Sequence, residues 1–150
     1  MKDYVYKKRL LALADFLNKL PEEKFDYSSW FFSSEDIEYD YETVNRVKNR
    51  ALKNSCGTTG CALGWACAMP RFQRLGLKWG SAGPQLEPDL SPIESAAELF
   101  GVSISEAEFL FYHSVFNKNG FSSPDCDASP QEVATHLREF AHTKWPCKKG

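Results

Sequence analysis

The segment that decides the fold is Cys56-Gly-Thr-Thr-Gly-Cys-Ala-Leu-Gly-Trp-Ala-Cys-Ala-Met69, which Pro70 follows. Its first half combines cysteine, glycine and threonine, a composition typical of a tight turn. Its second half is apolar on all sides, which predicts a central, buried helix that ends before Pro70. Small residues recur every fourth position at Gly60, Gly64 and Ala68, so we expect one flat side against which another helix packs closely.

Helical periodicity and helix-start signatures place further helices outward from this segment. They are expected at about residues 3–19, 41–53, 92–100, 104–113 and 130–143. The last three each begin with a serine and carry a glutamate three positions later, the pattern of a capping box. Long loops are expected around 20–40, 70–90 and 117–128. The sequence therefore predicts a mainly α fold, a compact single-domain helical bundle of five to six helices over residues 1–150.

Charge is strongly segregated along the chain although the net charge is only −2. The stretch 43–86 holds seven basic residues and no acidic one, and the stretch 87–114 holds six acidic residues and no lysine or arginine. Five carboxylates lie within the eight positions 35–42. This pattern indicates one face that attracts anions and another that repels them.

Several function classes are disfavoured by the sequence. No apolar run approaches the ~18 residues that span a membrane, so we expect no membrane partner and a cytoplasmic protein, in the host cell if a phage encodes it. The run 96–103 resembles the centre of a helix-turn-helix, but the following segment 104–112 carries carboxylates and aromatics that a duplex would repel. We therefore expect no direct readout of duplex DNA.

The turn itself is the first candidate site. Its glycines allow close backbone approach, and the free N–H groups at the start of the following helix favour anions. Three cations lie on one face of the neighbouring helix. The candidate ligand-binding residues are Cys56, Gly57, Thr58, Thr59, Gly60 and Cys61, with Arg46, Arg50 and Lys53. In the alternative interpretation, the glycines only let the buried helix start deep in the core.

A second candidate surface is acidic and aromatic. Three adjacent aromatic residues, 30–32, cannot all face one side of a regular element, so one of them is expected to be exposed to a partner. The candidate partner-binding residues are Glu35, Asp36, Glu38, Asp40, Glu42 and Trp30. Such a surface would face a basic host protein.

Two alternatives rest on the five cysteines, whose odd number and uneven spacing predict free thiols. A thiol at a helix N-terminus could be a nucleophile, which makes Cys61 or Cys56 with His113 as the base a candidate cysteine hydrolase. His136 and His142 are the other available bases. Alternatively, a structural zinc would need Cys56, Cys61 and Cys67 with His113 or Cys126. Their spacing lacks the usual Cys-x-x-Cys, so no metal site is assigned and no cofactor is expected.

The motif Cys-Gly-Thr-x-x-Cys-Ala-x-Gly-Trp-Ala at 56–66, together with the run 97–111, resembles a set of uncharacterised small proteins scattered through bacteriophage and bacterial genomes. These proteins have no established activity, so the resemblance carries over no catalytic residues. It implies an accessory role. The function expected from it is a phage-type binding protein that inhibits a host defence by binding a host protein or an anionic, nucleotide-like ligand.

Overall fold

The structure, a computed structural model, describes residues 2–34, 38–40, 42–54, 57–80 and 82–147. Seven α-helices lie within these ranges: α1 (Lys2–Asn18), α2 (Val44–Asn54), α3 (Ala62–Cys67), α4 (Pro70–Gln73), α5 (Pro92–Phe100), α6 (Ile104–Phe111) and α7 (Pro130–Lys144). Two short antiparallel pairs accompany them, β1 (Phe32–Ser33) with β2 (Thr58–Thr59) and β3 (Lys78–Gly80) with β4 (Gly83–Gln85). Helices make up 52% of the described residues, so the fold is mainly α.

The three helix-start signatures are confirmed. Ser91, Ser103 and Ser129 each accept a hydrogen bond from the backbone N–H three residues on, and each glutamate there accepts one from the serine N–H. These reciprocal bonds use N–H groups that a helix leaves without intrahelical partners. As a result, α5, α6 and α7 begin where the sequence predicts.

Two of the predicted loops contain regular structure. The segment 70–90 holds α4 and the β3–β4 hairpin, and the segment 20–40 holds β1 and a 3₁₀ turn over Glu22–Lys24. Proline opens α4 because its fixed φ suits the first helical position. The hairpin forms among glycines and prolines because Trp79 on β3 is buried, with only 2% of its surface exposed. Burial of this indole outweighs the local preference for irregular structure.

The buried apolar residues form one contiguous cluster. α1 packs along α7, and their outer edges are joined by the Arg138–Asp15 ion pair at 3.1 Å. All six residues of α3 are buried. The prediction of a buried helix in this segment is thus confirmed.

The small-residue side of α3 packs against the backbone of Trp30 and the ring of Trp79, and not against a second helix as the sequence predicts. A methyl group added at Gly64 would overlap the carbonyl oxygen of Trp30 and would lie 3.2 Å from the ring of Trp79. An added methyl group at Gly60 would meet the same Trp30 carbonyl at 3.2 Å. The glycines therefore admit the aromatic segment 30–32, because only a residue without Cβ leaves room for its backbone.

We predict that Gly64→Ala destabilises the protein by about 3 kcal/mol or more, because the overlap with a fixed carbonyl outweighs the ~1 kcal/mol that alanine gains in helix propensity. Urea unfolding followed by tryptophan fluorescence measures the change. The control is Gly120→Ala, where nothing lies within 4 Å and only the positive φ of +83° is strained. That control should cost about 1–2 kcal/mol. A Gly64→Ala variant as stable as the wild type would contradict this packing.

Candidate functional site

The described part of the cysteine turn is held by main-chain hydrogen bonds. Thr58 and Thr59 form β2, and Thr58 is fully buried. The N–H of Gly60 donates to the carbonyl of Lys24 at 3.2 Å, and the carbonyl of Gly60 accepts from Asp26 at 3.1 Å. Because these groups are already paired inside the fold, they offer nothing to an anion.

Cys61 caps α3 in place of the usual serine or threonine. Its Sγ accepts a hydrogen bond from the backbone N–H of Gly64 at 3.4 Å, and 1% of the residue is exposed. The expectation of an anion pocket in this turn is therefore corrected. The helix N-terminus is capped by the protein's own sulfur. Of the described turn residues only Gly57 is exposed, and Cys56 lies outside the described residues.

The same burial argues against a thiol nucleophile. Desolvation raises the pKa of Cys61 to about 12, the opposite of the lowered pKa that the hydrolase hypothesis requires. Burial also raises the pKa of Cys67. His113 is exposed and lines the same cavity as Cys61, but its Nδ1 lies 3.4 Å from the hydroxyl of Ser114, and no hydrogen bond among the described residues joins its ring to the Cys61 sulfur.

The other two histidines do not supply a base near Cys61. His136 Nε2 lies 2.8 Å from the carbonyl oxygen of Phe109, and burial lowers the pKa of this imidazole. His142 is exposed on α7. Among the described residues, no three His, Cys, Asp or Glu side chains are grouped so that they could hold a metal ion, so the zinc alternative gains no support.

The cations of α2 lie on its exposed face, as their spacing predicts. Arg46, Arg50 and Lys53 are all exposed, whereas most of the described cysteine turn is buried. These cations therefore do not form one site with the turn. Arg46 instead lines a groove between α2 and the α4–β3 connection, with a volume of about 510 Å³. We call it the α2 groove; its polar lining is Asn45, Arg46, Asn49, Gln73 and Lys78.

Trp79 fixes the two asparagines of the α2 groove. Its backbone N–H donates to Asn45 Oδ1 at 2.9 Å, and its indole Nε1 donates to Asn49 Oδ1 at 2.8 Å. Because each carbonyl oxygen is engaged, the orientation of each carboxamide is set by the hydrogen bond. Neither NH₂ group has a partner among the described residues, although Asn49 is only 8% exposed. The groove thus offers two unused amide donors.

The electrostatics of the α2 groove favour an anion. Arg46 and Lys78 line it, and no carboxylate does. Within the described ranges, neither cation forms an ion pair. Asp40 and Glu42 line an adjoining cavity that shares Asn45 and Lys78 with the groove. The pKa of Asp40 is lowered by hydrogen bonds from Thr43 and, to a smaller extent, by the charge of Arg46. The cationic groups therefore remain available to a ligand.

The acidic surface is only partly described. Glu38, Asp40 and Glu42 are exposed, whereas Glu35 and Asp36 lie outside the described residues. The exposed aromatic is Phe32, with 54% of its surface accessible. Trp30 is partly buried and packs against the core, and its carbonyl oxygen lies close to Gly64 of α3. The assignment of Trp30 as the exposed member of the aromatic run is therefore corrected.

Sequence reasoning missed Asn45, Asn49, Gln73 and Lys78 as groove residues. Asn45 and Asn49 could have been found from the sequence. They are four residues apart on a helix, so they lie side by side, and arginines occupy the adjoining face. Gln73 and Lys78 could not have been added from the sequence, because their approach to α2 depends on how Trp79 packs.

Comparison with protein-family models, curated proteins and solved structures finds no match to this chain, so its function is argued from the site itself. Among the described residues, there is also no helix with the length and apolar character needed to cross a membrane.

We predict that iodoacetamide at neutral pH alkylates Cys126 and Cys147 in the native protein and leaves Cys61 and Cys67 unmodified. The first two thiols are exposed and the last two are buried. Peptide mass mapping after timed quenching measures the rates, and denaturation in urea should make all four reactive. Modification of native Cys61 as fast as that of Cys126 would contradict its structural role and restore the hydrolase hypothesis.

Proposed function

We propose that this chain is a non-enzymatic binding protein whose α2 groove takes a small anionic ligand carrying phosphate or carboxylate groups. The observation that carries the proposal is the set of donors there: two cations and two amide NH₂ groups converge, with no carboxylate among the lining residues. Because no buried side-chain nitrogen or oxygen of the described residues lacks a partner, both NH₂ groups reach solvent, and an anion in the groove would replace water as their acceptor.

The size and reach of the α2 groove fit a ligand of nucleotide type. A cavity of about 510 Å³ lies within the range that holds small ligands. The guanidinium of Arg46 can bind two phosphate or carboxylate oxygens at once, while Lys78 acts as a point charge. Arg50 and Lys53 continue along α2 from Arg46, so they would attract further negative groups of a longer ligand.

The resemblance to small phage proteins suggests a setting for this binding, namely interference with a host defence that uses an anionic signal. A second candidate, binding of a basic host protein, is favoured by the exposure of Glu38, Asp40 and Glu42. The two surfaces adjoin, because Asp40 and Glu42 line a cavity that shares Asn45 and Lys78 with the α2 groove. A protein partner at the acidic surface would therefore alter ligand binding in the α2 groove.

The test uses the full chain with inorganic phosphate and with nucleoside mono-, di- and triphosphates at low ionic strength, followed by thermal shift and titration calorimetry. We expect at least one phosphate compound to raise the melting temperature, with an affinity that falls as salt rises. Arg46→Gln with Lys78→Gln should weaken binding by at least about tenfold. Lys7→Gln with Lys8→Gln removes the same charge from α1 and should leave binding unchanged.

Asn45→Asp is the sharper variant because it keeps the oxygen that accepts from Trp79 while replacing the amide donor with a negative charge. It should abolish binding and leave the fold intact, as judged by circular dichroism. Asn119→Asp, at an exposed turn elsewhere, is its matched control. The proposal fails if none of these phosphate compounds binds, or if both Asn45→Asp and the Arg46 and Lys78 double variant bind as the wild type does.

A further inference from the structure

A second cavity adjoins the α2 groove and differs from it in chemistry. Its volume is about 440 Å³, and Asn45 and Lys78 line both cavities, so the two meet at these residues. Its further lining includes two aromatic rings, two carboxylates, an amide and an ammonium group, which belong to Tyr39, Trp79, Asp40, Glu42, Gln85 and Lys48. We call this cavity the Tyr39 pocket.

Lys48 holds the ring of Tyr39 in place. The ammonium Nζ of Lys48 lies 5.2 Å from the ring centres of Phe31 and Tyr39 and 5.0 Å from that of Trp79. Each of these distances is within the range in which a cation is attracted to an aromatic face. Tyr39 is nevertheless 48% exposed. Its ring is therefore positioned by Lys48 and still has open surface on which a flat group can stack.

The Tyr39 pocket offers hydrogen-bond acceptors that the described part of the protein leaves unused. Asp40 Oδ1 accepts the N–H groups of Glu42 and Thr43 at 3.0 and 2.9 Å, which fixes the carboxylate, but its Oδ2 has no partner within the described ranges. The carboxylate of Glu42 forms neither a hydrogen bond nor an ion pair with any described residue. Gln85 Nε2 donates to the carbonyl of Leu90 at 3.0 Å, which leaves the Oε1 of this amide as an acceptor. A ligand with N–H donors would therefore meet acceptors here.

The two cavities differ in the charges that line them. The α2 groove has Arg46 and Lys78 in its lining and no carboxylate, whereas the Tyr39 pocket has two carboxylates and two lysines. One of these lysines, Lys78, is shared with the groove, and the other, Lys48, is held among the aromatic rings. An anion is therefore favoured in the α2 groove, and a group that donates hydrogen bonds is favoured in the Tyr39 pocket.

We propose that the Tyr39 pocket receives the base of a nucleotide whose phosphate lies in the α2 groove, and that it prefers a base with an exocyclic amino group. This inference rests on the proposed function, which assigns phosphate to the α2 groove. A nucleotide joins the two kinds of group that the two cavities favour, an anionic phosphate and a flat ring with hydrogen-bonding edges. Every base can stack on the ring of Tyr39. An amino group donates to a carboxylate, as that of cytosine does to aspartate or glutamate, whereas a carbonyl oxygen in the same position is repelled.

Titration calorimetry of the full chain at low ionic strength tests the role of the base by comparing ligands that carry the same phosphate. Ribose 5-phosphate lacks a base, and each nucleoside monophosphate has one. Cytidine and uridine monophosphates differ by an amino group in place of a carbonyl oxygen, as do adenosine and inosine monophosphates. We expect the best nucleotide to bind at least about tenfold more tightly than ribose 5-phosphate. Within at least one of the two pairs, the amino-bearing member should bind at least about tenfold more tightly than the other.

Tyr39→Ala tests stacking of the base. It should weaken nucleotide binding by about tenfold or more and leave the affinity for ribose 5-phosphate within about twofold of the wild-type value, because only the base contacts the ring. Tyr39→Phe keeps the ring and should bind nucleotides as the wild type does. Tyr4→Ala, which removes a 65% exposed ring from α1, is the matched control and should have no effect.

Asp40→Asn with Glu42→Gln tests the acceptors. This double variant removes two negative charges and keeps the side-chain oxygen that accepts the N–H groups of residues 42 and 43, so α2 should still form. The preference for the amino-bearing member of the pair should fall to less than about threefold. The measured quantity is the ratio of the two Kd values, in which a general change in the attraction for phosphate cancels. Glu98→Gln with Glu139→Gln removes the same charge from exposed positions on α5 and α7 and should leave this ratio unchanged.

The outcomes distinguish failure of this inference from failure of the proposed function. This inference is wrong if ribose 5-phosphate and the nucleotides bind equally, if neither pair shows a preference, or if Tyr39→Ala or the Asp40 and Glu42 double variant behaves as the wild type does. Binding of phosphate in the α2 groove would survive each of those results. If no phosphate compound binds, or if the Arg46 and Lys78 double variant binds nucleotides as tightly as the wild type, the proposed function fails and this inference fails with it.

Discussion

Trp79 joins the parts of this fold that matter for binding. Its backbone N–H holds Asn45 and its indole N–H holds Asn49, so that β3 is tied to α2. Its ring packs edge-on against Phe31 at 5.7 Å and lies 5.0 Å from the ammonium of Lys48. A buried indole needs a partner for its N–H, and here Asn49 supplies it, while Asn45 accepts the backbone N–H of the same residue. The orientation of both amides in the α2 groove therefore depends on where Trp79 packs.

The cysteine turn shows how burial decides chemistry. A sulfur at the N-terminus of a helix would normally be a reactive thiolate, because the amides there stabilise negative charge. For Cys61 the loss of water outweighs those amides, and the pKa rises to about 12. The thiol then serves as a cap. Gly60 and Gly64 complete the structural role, since they let the Trp30 backbone close over α3.

The α2 groove depends on charge and on hydrogen-bond donors, so salt should weaken what it binds. Its two cations come from elements that are distant in the chain, since Arg46 lies on α2 and Lys78 on β3. The fold therefore has to form before both charges can act on one ligand.

By itself, the sequence determined the local features: the three capping boxes, the mainly α content, the buried character of α3 and the exposed cations of α2. These depend on neighbours three or four residues apart, which periodicity reveals. Only the tertiary structure decided that the cysteine turn is sealed, that Phe32 and not Trp30 is exposed, and that Lys78 joins Arg46 across the α2 groove. Those outcomes depend on contacts between residues far apart in the chain, such as Gly60 with Lys24. Such contacts depend on which side chains of the whole chain are buried together, and a local sequence pattern does not contain that information.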